Sequence, residues 1–201
     1  LFRVPASGGE PKKLVSAGQI DGFDLSPDGR AAFGVRRTVG SPPEIWRFDL
    51  TGSTAPVRLT WHNRALEEEV DIRPAETEWV DGALGAKIHV FVVKPHGFDP
   101  ARKYPVILNV HGGPQMQWSD GFRGDWQVYP GAGVIVAFPN PHGSTGYGQA
   151  YTAAISGDWG GKVMEDIRLG TEHLAGLPFV ERGKLGAMGW GWGGYAMYWL
   201  L

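Results

Sequence analysis

A chain of 201 residues with a formal net charge of −2 can form one large domain or parts of two, and it presents no basic field for nucleic acid. It has no cysteine, which excludes disulfides, thiol catalysis and cysteine-based zinc sites. No stretch approaches the roughly 18 uninterrupted apolar residues of a membrane helix, so no membrane span is expected, and the start at Leu1 leaves the compartment open between cytoplasm and periplasm or secretion.

The first sixty residues predict short strands separated by turns. Residues 1–5 are similar in character to residues 45–49, and residues 23–29 predict a strand that runs into a tight turn at Pro27-Asp28-Gly29. A repeat of about 40–45 residues made of four short strands is typical of a β-propeller blade. Residues 1–62 are therefore predicted to be the last blade of a β-propeller domain, with the edge of a small β-sandwich as the alternative.

After a linker at residues 61–74, the pattern changes to strands that alternate with helices. Apolar runs predict strands at residues 76–79, 87–93, 106–110, 134–138 and 185–189, and helices are predicted at residues 162–175 and 193–201. In the first helix the apolar face comprises Val163, Ile167, Thr171 and Leu174, whereas Glu165, Asp166, Arg168 and Glu172 are predicted to point elsewhere. This alternation predicts an α/β domain built on a parallel sheet.

A glycine-rich motif, GWGWGGY at residues 189–195, lies between a predicted strand and a predicted helix. This is the context of the nucleophile elbow, G-x-S-x-G, a sharp turn that lifts its central side chain above the sheet. Gly189 and Gly193 fill the outer positions, where a side chain would collide with neighbouring backbone. Gly191 fills the central position and is expected to adopt a positive φ.

Gly191 removes the nucleophile from this motif. A glycine has no oxygen to attack a carbonyl group and no atom that could form an acyl-enzyme. It tolerates positive φ better than serine does, so the turn is expected to form although the reaction is not. A glycine-rich turn without any catalytic ancestry is the alternative.

A second motif, His111-Gly112-Gly113-Pro114, directly follows the strand predicted at residues 106–110. In α/β-hydrolases this loop helps to build the oxyanion hole with backbone N–H groups, and small residues let the backbone approach the substrate carbonyl. A catalytic base follows the elbow in chain order. For His111 itself, a structural role within the loop is therefore favoured over proton transfer.

Four motifs in a fixed order give a specific resemblance. They are HGGPQ at residues 111–115, NPHGSTGYG at 140–148, GDWGG at 157–161 and GWGWGGY at 189–195. Together they resemble the successive motifs of the prolyl oligopeptidase family of serine peptidases, closest to its acylaminoacyl-peptidase and dipeptidyl-peptidase branches. The resemblance implies that residues 63–201 are the N-terminal part of an incomplete α/β-hydrolase domain, and the family's propeller agrees with the predicted blade.

The same resemblance implies roles for single positions. Gly191 falls on the serine nucleophile, and the N–H groups of Trp192 and Gly113 fall on the two oxyanion donors; in other branches a tyrosine side chain at the position of His111 serves instead. The family's aspartate and histidine are expected beyond Leu201, so none of the six histidines is assigned to the triad. The implied partners are short peptide substrates, with no cofactor and no nucleic acid, and a homo-oligomer is left open.

Two other functions fit these residues: an esterase on the same fold, and a relative that binds peptides without cutting them. The propeller-like opening argues against the esterase, and Gly191 argues for the non-catalytic relative. The remaining candidates are weaker. Ser119 and Ser144 are interpreted as exposed turn formers, His142 and Tyr147 as loop-ordering residues, and Trp190 and Trp192 as packing residues, with Trp192 at the edge of a specificity pocket.

Overall fold

The computed structural model describes residues 1–16 and 18–201. The chain divides into two compact units. Residues 1–74 together with 119–123 form the N-terminal unit, and residues 75–118 together with 124–201 form the α/β unit. The domain boundary at residues 62 and 63 stays a prediction.

The N-terminal unit is built from two antiparallel sheets. Its elements are β1 (Phe2–Arg3), β2 (Lys12–Lys13), β3 (Gln19–Leu25), β4 (Ala31–Thr38), β5 (Ser41–Asp49), β6 (Val57–Arg58) and α1 (Arg64–Glu69). The strands β3, β4, β5 and β6 form one sheet in chain order, and β1 pairs with β2. The predicted turn after β3 is confirmed, because the Gly29 N–H donates to the Ser26 carbonyl at 2.8 Å. The interpretation of these strands as a propeller blade stays a prediction.

A buried carboxylate ties the parts of this unit together. Glu44 of β5 is 2% exposed. It accepts hydrogen bonds from the Asn63 N–H at 2.7 Å, from the Arg58 guanidinium at 3.1 Å and from the Thr60 hydroxyl. Arg58 also binds Glu67 of α1 at 2.8 Å. The strands β5 and β6 and the start of α1 are thus joined through one charged group.

This arrangement makes the stability of the N-terminal unit depend on pH in the acidic range. Burial alone would raise the pKa of Glu44, but the hydrogen bonds from Thr60 and Asn63 outweigh it and lower the pKa from 4.5 to about 2. A lowered carboxyl pKa stabilises the folded state above the unfolded value. The contribution of Glu44 is therefore complete above pH 4.5 and is lost as the pH falls from 4.5 towards 2.

We expect Glu44→Gln to lower the free energy of unfolding at pH 7 and to weaken its dependence on pH between 4.5 and 2. The amide keeps the shape of the side chain but cannot accept the same set of hydrogen bonds. Urea titrations of both proteins across this pH range measure the effect. Equal acid sensitivity of the two proteins would contradict the role of Glu44.

The α/β unit contains a five-stranded mixed sheet. Its elements are β7 (Glu76–Asp81), a 3₁₀ turn (Ala83–Gly85), β8 (Lys87–Val93), β9 (Tyr104–Val110), α2 (Asp125–Gly131), β10 (Ile135–Asn140), α3 (Gln149–Ala153), α4 (Lys162–Gly176), β11 (Val180–Gly189) and α5 (Trp192–Leu200). The strand order is β11-β9-β10-β8-β7. The predicted parallel sheet is confirmed for β9, β10 and β11, whereas β7 and β8, two strands predicted to be joined around a turn at Asp81-Gly82, run antiparallel. The tight turn between β7 and β8 reverses the chain and makes this pair antiparallel.

Helices cover both faces of this sheet. All six residues of the central strand β10 are buried. Ile135 and Ala137 belong to the core shared with Ile167 of α4, whereas the Phe138 ring stacks on Trp126 of α2 at a centroid distance of 3.5 Å. Successive strand residues therefore point into two separate apolar layers, as an α/β architecture requires. Within the described part of the chain, no helix has the length and apolar character needed to span a membrane.

Candidate active site

The motif at residues 189–195 forms a strand-to-helix turn. β11 ends at Gly189, α5 begins at Trp192, and Gly191 stands between them with φ 61° and ψ −125°. The predicted positive φ of Gly191 is confirmed. Few residues other than glycine adopt this conformation without strain, so this glycine relaxes a turn that would strain a serine.

The outer glycines are required by close backbone contacts. A Cβ atom added to Gly189 would lie 2.4 Å from the carbonyl of Gly193. A Cβ atom added to Gly193 would lie 2.2 Å from the carbonyl oxygen of Val110, the last residue of β9. The helix α5 therefore starts directly against the ends of β11 and β9, and the predicted collision of side chains with backbone at both positions is confirmed.

The central position faces open space. A Cβ atom added to Gly191 would have one heavy atom within 4 Å, apart from those of its two chain neighbours, among the described residues. That atom is the Gly112 Cα, at 4.0 Å. A side chain at this position would therefore project from the turn without a steric clash. The strand-to-helix turn thus leaves room for a side chain at its central position, where the chain has glycine.

The loop at residues 111–113 lies against this turn. β9 and β11 are parallel neighbours with Val110 opposite Gly189, so the loops that follow the two strands leave the same edge of the sheet. A Cβ atom added to Gly112 would lie 2.9 Å from the Trp190 carbonyl oxygen and 3.8 Å from the Trp192 nitrogen. The structure thus brings the two sequence motifs together. That the Gly113 and Trp192 N–H groups act as oxyanion donors stays a prediction.

His111 is held inside the loop by two hydrogen bonds. Its ring is buried, with Nδ1 2.7 Å from the Gly112 carbonyl oxygen and Nε2 2.9 Å from Ser144 Oγ. The predicted exposure of Ser144 was wrong, because its exposed fraction is 0%, whereas its predicted turn-forming role is confirmed by its N–H and its hydroxyl, which donate to the Pro141 carbonyl at 3.0 Å and 2.7 Å. A serine beside a histidine suggests a catalytic pair, but this oxygen is enclosed and cannot reach a substrate.

Comparisons with known proteins agree on one family. Residues 120–201 match the prolyl oligopeptidase family model. The chain is 43% identical to dipeptidyl-peptidase 5 of Schizosaccharomyces pombe over 140 residues, which covers 67% of this chain and 20% of that protein. It is 34% identical to dipeptidyl-peptidase 5 of Porphyromonas endodontalis over 192 residues, which covers 94% of this chain and 27% of that protein. The uncomplexed acylaminoacyl peptidase of Pyrococcus horikoshii matches with a TM-score of 0.83 and 25% identity, over 96% of this chain and 30% of that structure.

The chain belongs to the prolyl oligopeptidase family. It spans between a fifth and three tenths of the length of these three proteins. The α/β unit has the α/β-hydrolase fold of the solved relative, with a mixed sheet and helices on both faces. Membership agrees with the motifs of the sequence, since three of the four, at residues 140–148, 157–161 and 189–195, lie in the matched segment.

A second buried pair in this member of the prolyl oligopeptidase family joins His142 to Asp166. Both Nδ1 and the backbone N–H of His142 lie 2.6 Å from one carboxylate oxygen, and the Ala83 N–H donates to the other at 2.8 Å. The prediction that Asp166 points away from the apolar face of α4 was wrong, because this side chain is completely buried. Asp166 connects α4 to the turn after β7 and to the loop after β10, so the pair has a structural role.

Asn140 fixes the end of the loop that begins at His111. Its side-chain oxygen accepts from the Trp118 N–H at 2.8 Å, and its nitrogen donates to the Trp118 carbonyl at 3.0 Å and to the Tyr147 hydroxyl at 2.9 Å. Tyr147 also bonds to His89 Nδ1 at 2.7 Å. The predicted loop-ordering role of Tyr147 is confirmed by these contacts. Asn140 begins the motif at residues 140–148 but no role was predicted for it, and His89 was not marked at all, because their partners are distant in the chain.

The two tryptophans of the elbow differ in environment. Trp192 is buried in the core of the α/β unit, so its predicted packing role is confirmed. Trp190 is 90% exposed, so the prediction that it packs was wrong. The residue before Gly191 lies at the tip of the turn, with its side chain in solvent. Among the described residues, no group of three His, Asp or Glu side chains is arranged to hold a metal ion.

Proposed function

We propose that the turn at Gly191 is the substrate site of a serine-peptidase scaffold, and that this chain binds short peptides there without cleaving them. The observation that carries the proposal is an elbow whose backbone geometry is intact, with φ 61° at Gly191, while the position of the nucleophile holds a glycine. The family match supports peptides over simple esters as substrates, since the matched relatives are named as peptidases.

The proposed binding mode uses backbone donors at two neighbouring loops. Trp192 is the first residue of α5, and N–H groups in the first turn of a helix have no intrahelical partner. Together with the Gly113 N–H, this group would donate to the carbonyl oxygen of a bound peptide. The positive end of the helix dipole favours charge developing on that oxygen. In a serine-containing relative, the hydroxyl at this position would attack the carbonyl carbon and form the acyl-enzyme.

The same proposal extends to the fold of the whole protein. The N-terminal unit would be the end of a β-propeller that limits access to short peptides, and the α/β unit would be the first part of a hydrolase domain. The four-stranded antiparallel order of β3 to β6 supports the first assignment, and the strand-turn-helix at β11 and α5 supports the second.

We expect the chain to turn over no chromogenic aminoacyl or acyl substrate above background, because Gly191 offers no nucleophile. Binding of a fluorescent tripeptide, followed by anisotropy, should be detectable for the wild type. Gly191→Phe is expected to weaken it about tenfold or more by filling the open space above the turn.

Gly133→Phe is the matched control. Gly133 also has positive φ, at 82°, and open space around its added Cβ atom, but it lies in the loop after α2. This variant also places a phenylalanine at a positive φ and should keep wild-type peptide binding. Turnover that a serine-directed fluorophosphonate abolishes would contradict the assignment of Gly191, and equal binding by both phenylalanine variants would contradict the location of the site.

A further inference from the structure

The orientation of one peptide plane decides where the Gly113 N–H points. The peptide bond between Gly112 and Gly113 is trans, so its carbonyl and its N–H point in opposite directions. The Gly112 carbonyl oxygen lies 2.7 Å from His111 Nδ1. As long as this hydrogen bond holds, the carbonyl is turned towards the imidazole ring and the Gly113 N–H is turned away from it.

This hydrogen bond requires one particular form of the histidine. A carbonyl oxygen can only accept, so Nδ1 must carry the proton. Burial lowers the pKa of the His111 ring. The hydrogen bond to the Gly112 carbonyl raises this pKa, but by less, so that the pKa lies below its ordinary value. The ring is therefore neutral at pH 7, and Nε2 carries a lone pair that needs a donor.

Ser144 is the hydrogen-bond partner of Nε2. Its Oγ is 2.9 Å from Nε2, and both side chains are buried. The Pro141 carbonyl, 2.7 Å from the same Oγ, competes for the single hydroxyl proton. If the hydroxyl turned fully towards Pro141, Nε2 would need a proton of its own, and Nδ1 would lose the one that it donates to Gly112.

The position of Ser144 is itself fixed by backbone contacts. The Ser144 N–H donates to the Pro141 carbonyl at 3.0 Å, and the Ser144 carbonyl accepts from the Thr152 hydroxyl at 2.9 Å. The next residue, Thr145, donates its N–H to the Met116 carbonyl at 2.9 Å. Ser144 is thus held by its own loop and by α3, and the residue that follows it attaches the loop after β10 to the loop after β9.

We propose that Ser144 is a positioning residue of this site: by donating to Nε2 it keeps the proton of His111 on Nδ1, which fixes the Gly112–Gly113 peptide and directs the Gly113 N–H towards the peptide carbonyl. The last step rests on the proposed function. The first two steps concern the free protein and stand without it.

Nitrogen-15 spectra of the histidine ring test the first step in the wild type. His111 should show a protonated Nδ1 and an unprotonated Nε2 at pH 7. A proton on Nε2 would overturn the proposal, and this result does not depend on any variant folding.

Ser144→Ala tests the next steps. We expect a mixture of the two His111 tautomers, amide exchange of Gly113 about fivefold faster, and fluorescent tripeptide binding about fivefold weaker, as the loss of one hydrogen bond implies. Thr171→Val is the matched control, because it removes a half-buried hydroxyl that bonds to the Ile167 carbonyl at 2.7 Å in α4. It should leave all three readouts unchanged.

Two results separate this inference from the proposed function. If the wild type binds no peptide while Ser144→Ala still alters the His111 spectrum and the Gly113 exchange, the proposed function fails and the positioning of the loop stands. If peptide binds but Ser144→Ala leaves the His111 spectrum and Gly113 exchange as in the wild type, the positioning role of Ser144 is overturned.

Discussion

Gly193→Ala is expected to lower the free energy of unfolding of the α/β unit by about 3 kcal/mol or more, because the added methyl group has no space. It would lie 2.2 Å from the Val110 carbonyl oxygen and 3.1 Å from that of His111. Neither obstacle is a flexible side chain that could move away. The start of α5 must shift, and with it the turn that holds Gly191.

Gly194→Ala is the control for this substitution. Its Cβ atom would lie 3.4 Å from the Gly189 carbonyl oxygen, which is an ordinary contact, and alanine is a better helix former than glycine by about 1 kcal/mol. This variant should be as stable as the wild type or more stable. Urea unfolding of the three proteins gives the comparison. Similar stability of Gly193→Ala and the wild type would contradict the close approach of α5 to β9.

The backbone of the elbow could be predicted from sequence because its constraints are local. Between an apolar strand and an apolar helix, every second residue is a glycine, at Gly189, Gly191 and Gly193. Few structures other than a sharp turn require this spacing. The positive φ of Gly191 and the exclusion of side chains at its neighbours followed directly. The contact between this turn and residues 111–113 also followed, since parallel neighbouring strands place their carboxyl ends at one edge.

The supporting contacts of the site could not be predicted in the same way. Ser144 lies in a segment rich in proline and glycine, which suggests an exposed turn. Its burial depends on His111, which is 33 residues earlier in the chain. Asn140 also depends on a distant partner, because its side chain hydrogen-bonds to the backbone of Trp118, which is 22 residues earlier in the chain. A single sequence carries no signal for a hydrogen bond whose partner lies in another loop.

Asp166 is different, because a signal was present in the sequence and was misinterpreted. It lies three residues after Val163, four before Gly170 and eight before Leu174, all of which are buried on α4. Residues with this spacing share one face of a helix, so Asp166 lies within the apolar stripe. Its charge suggested solvent, whereas its position indicated burial with partners. A charged residue at a core position of a helix is a hydrogen-bonding centre more often than an exposed group.

The same burial makes Asp166→Ala the second substitution with a large expected effect. The carboxylate accepts from the Ala83 N–H, the His142 N–H and His142 Nδ1, and its loss leaves these buried donors without partners. Removing one member of a buried, hydrogen-bonded pair costs about 3–5 kcal/mol.

Asp166→Asn should recover part of this loss, since the amide keeps one acceptor oxygen but turns an NH₂ group towards an N–H donor. Glu165→Gln, one residue earlier on the exposed side, loses only the surface ion pair with Arg168 and should stay within about 0.5 kcal/mol of the wild type in urea unfolding. If Asp166→Asn matches the wild type, the carboxylate is not what joins α4 to the loops at Ala83 and His142.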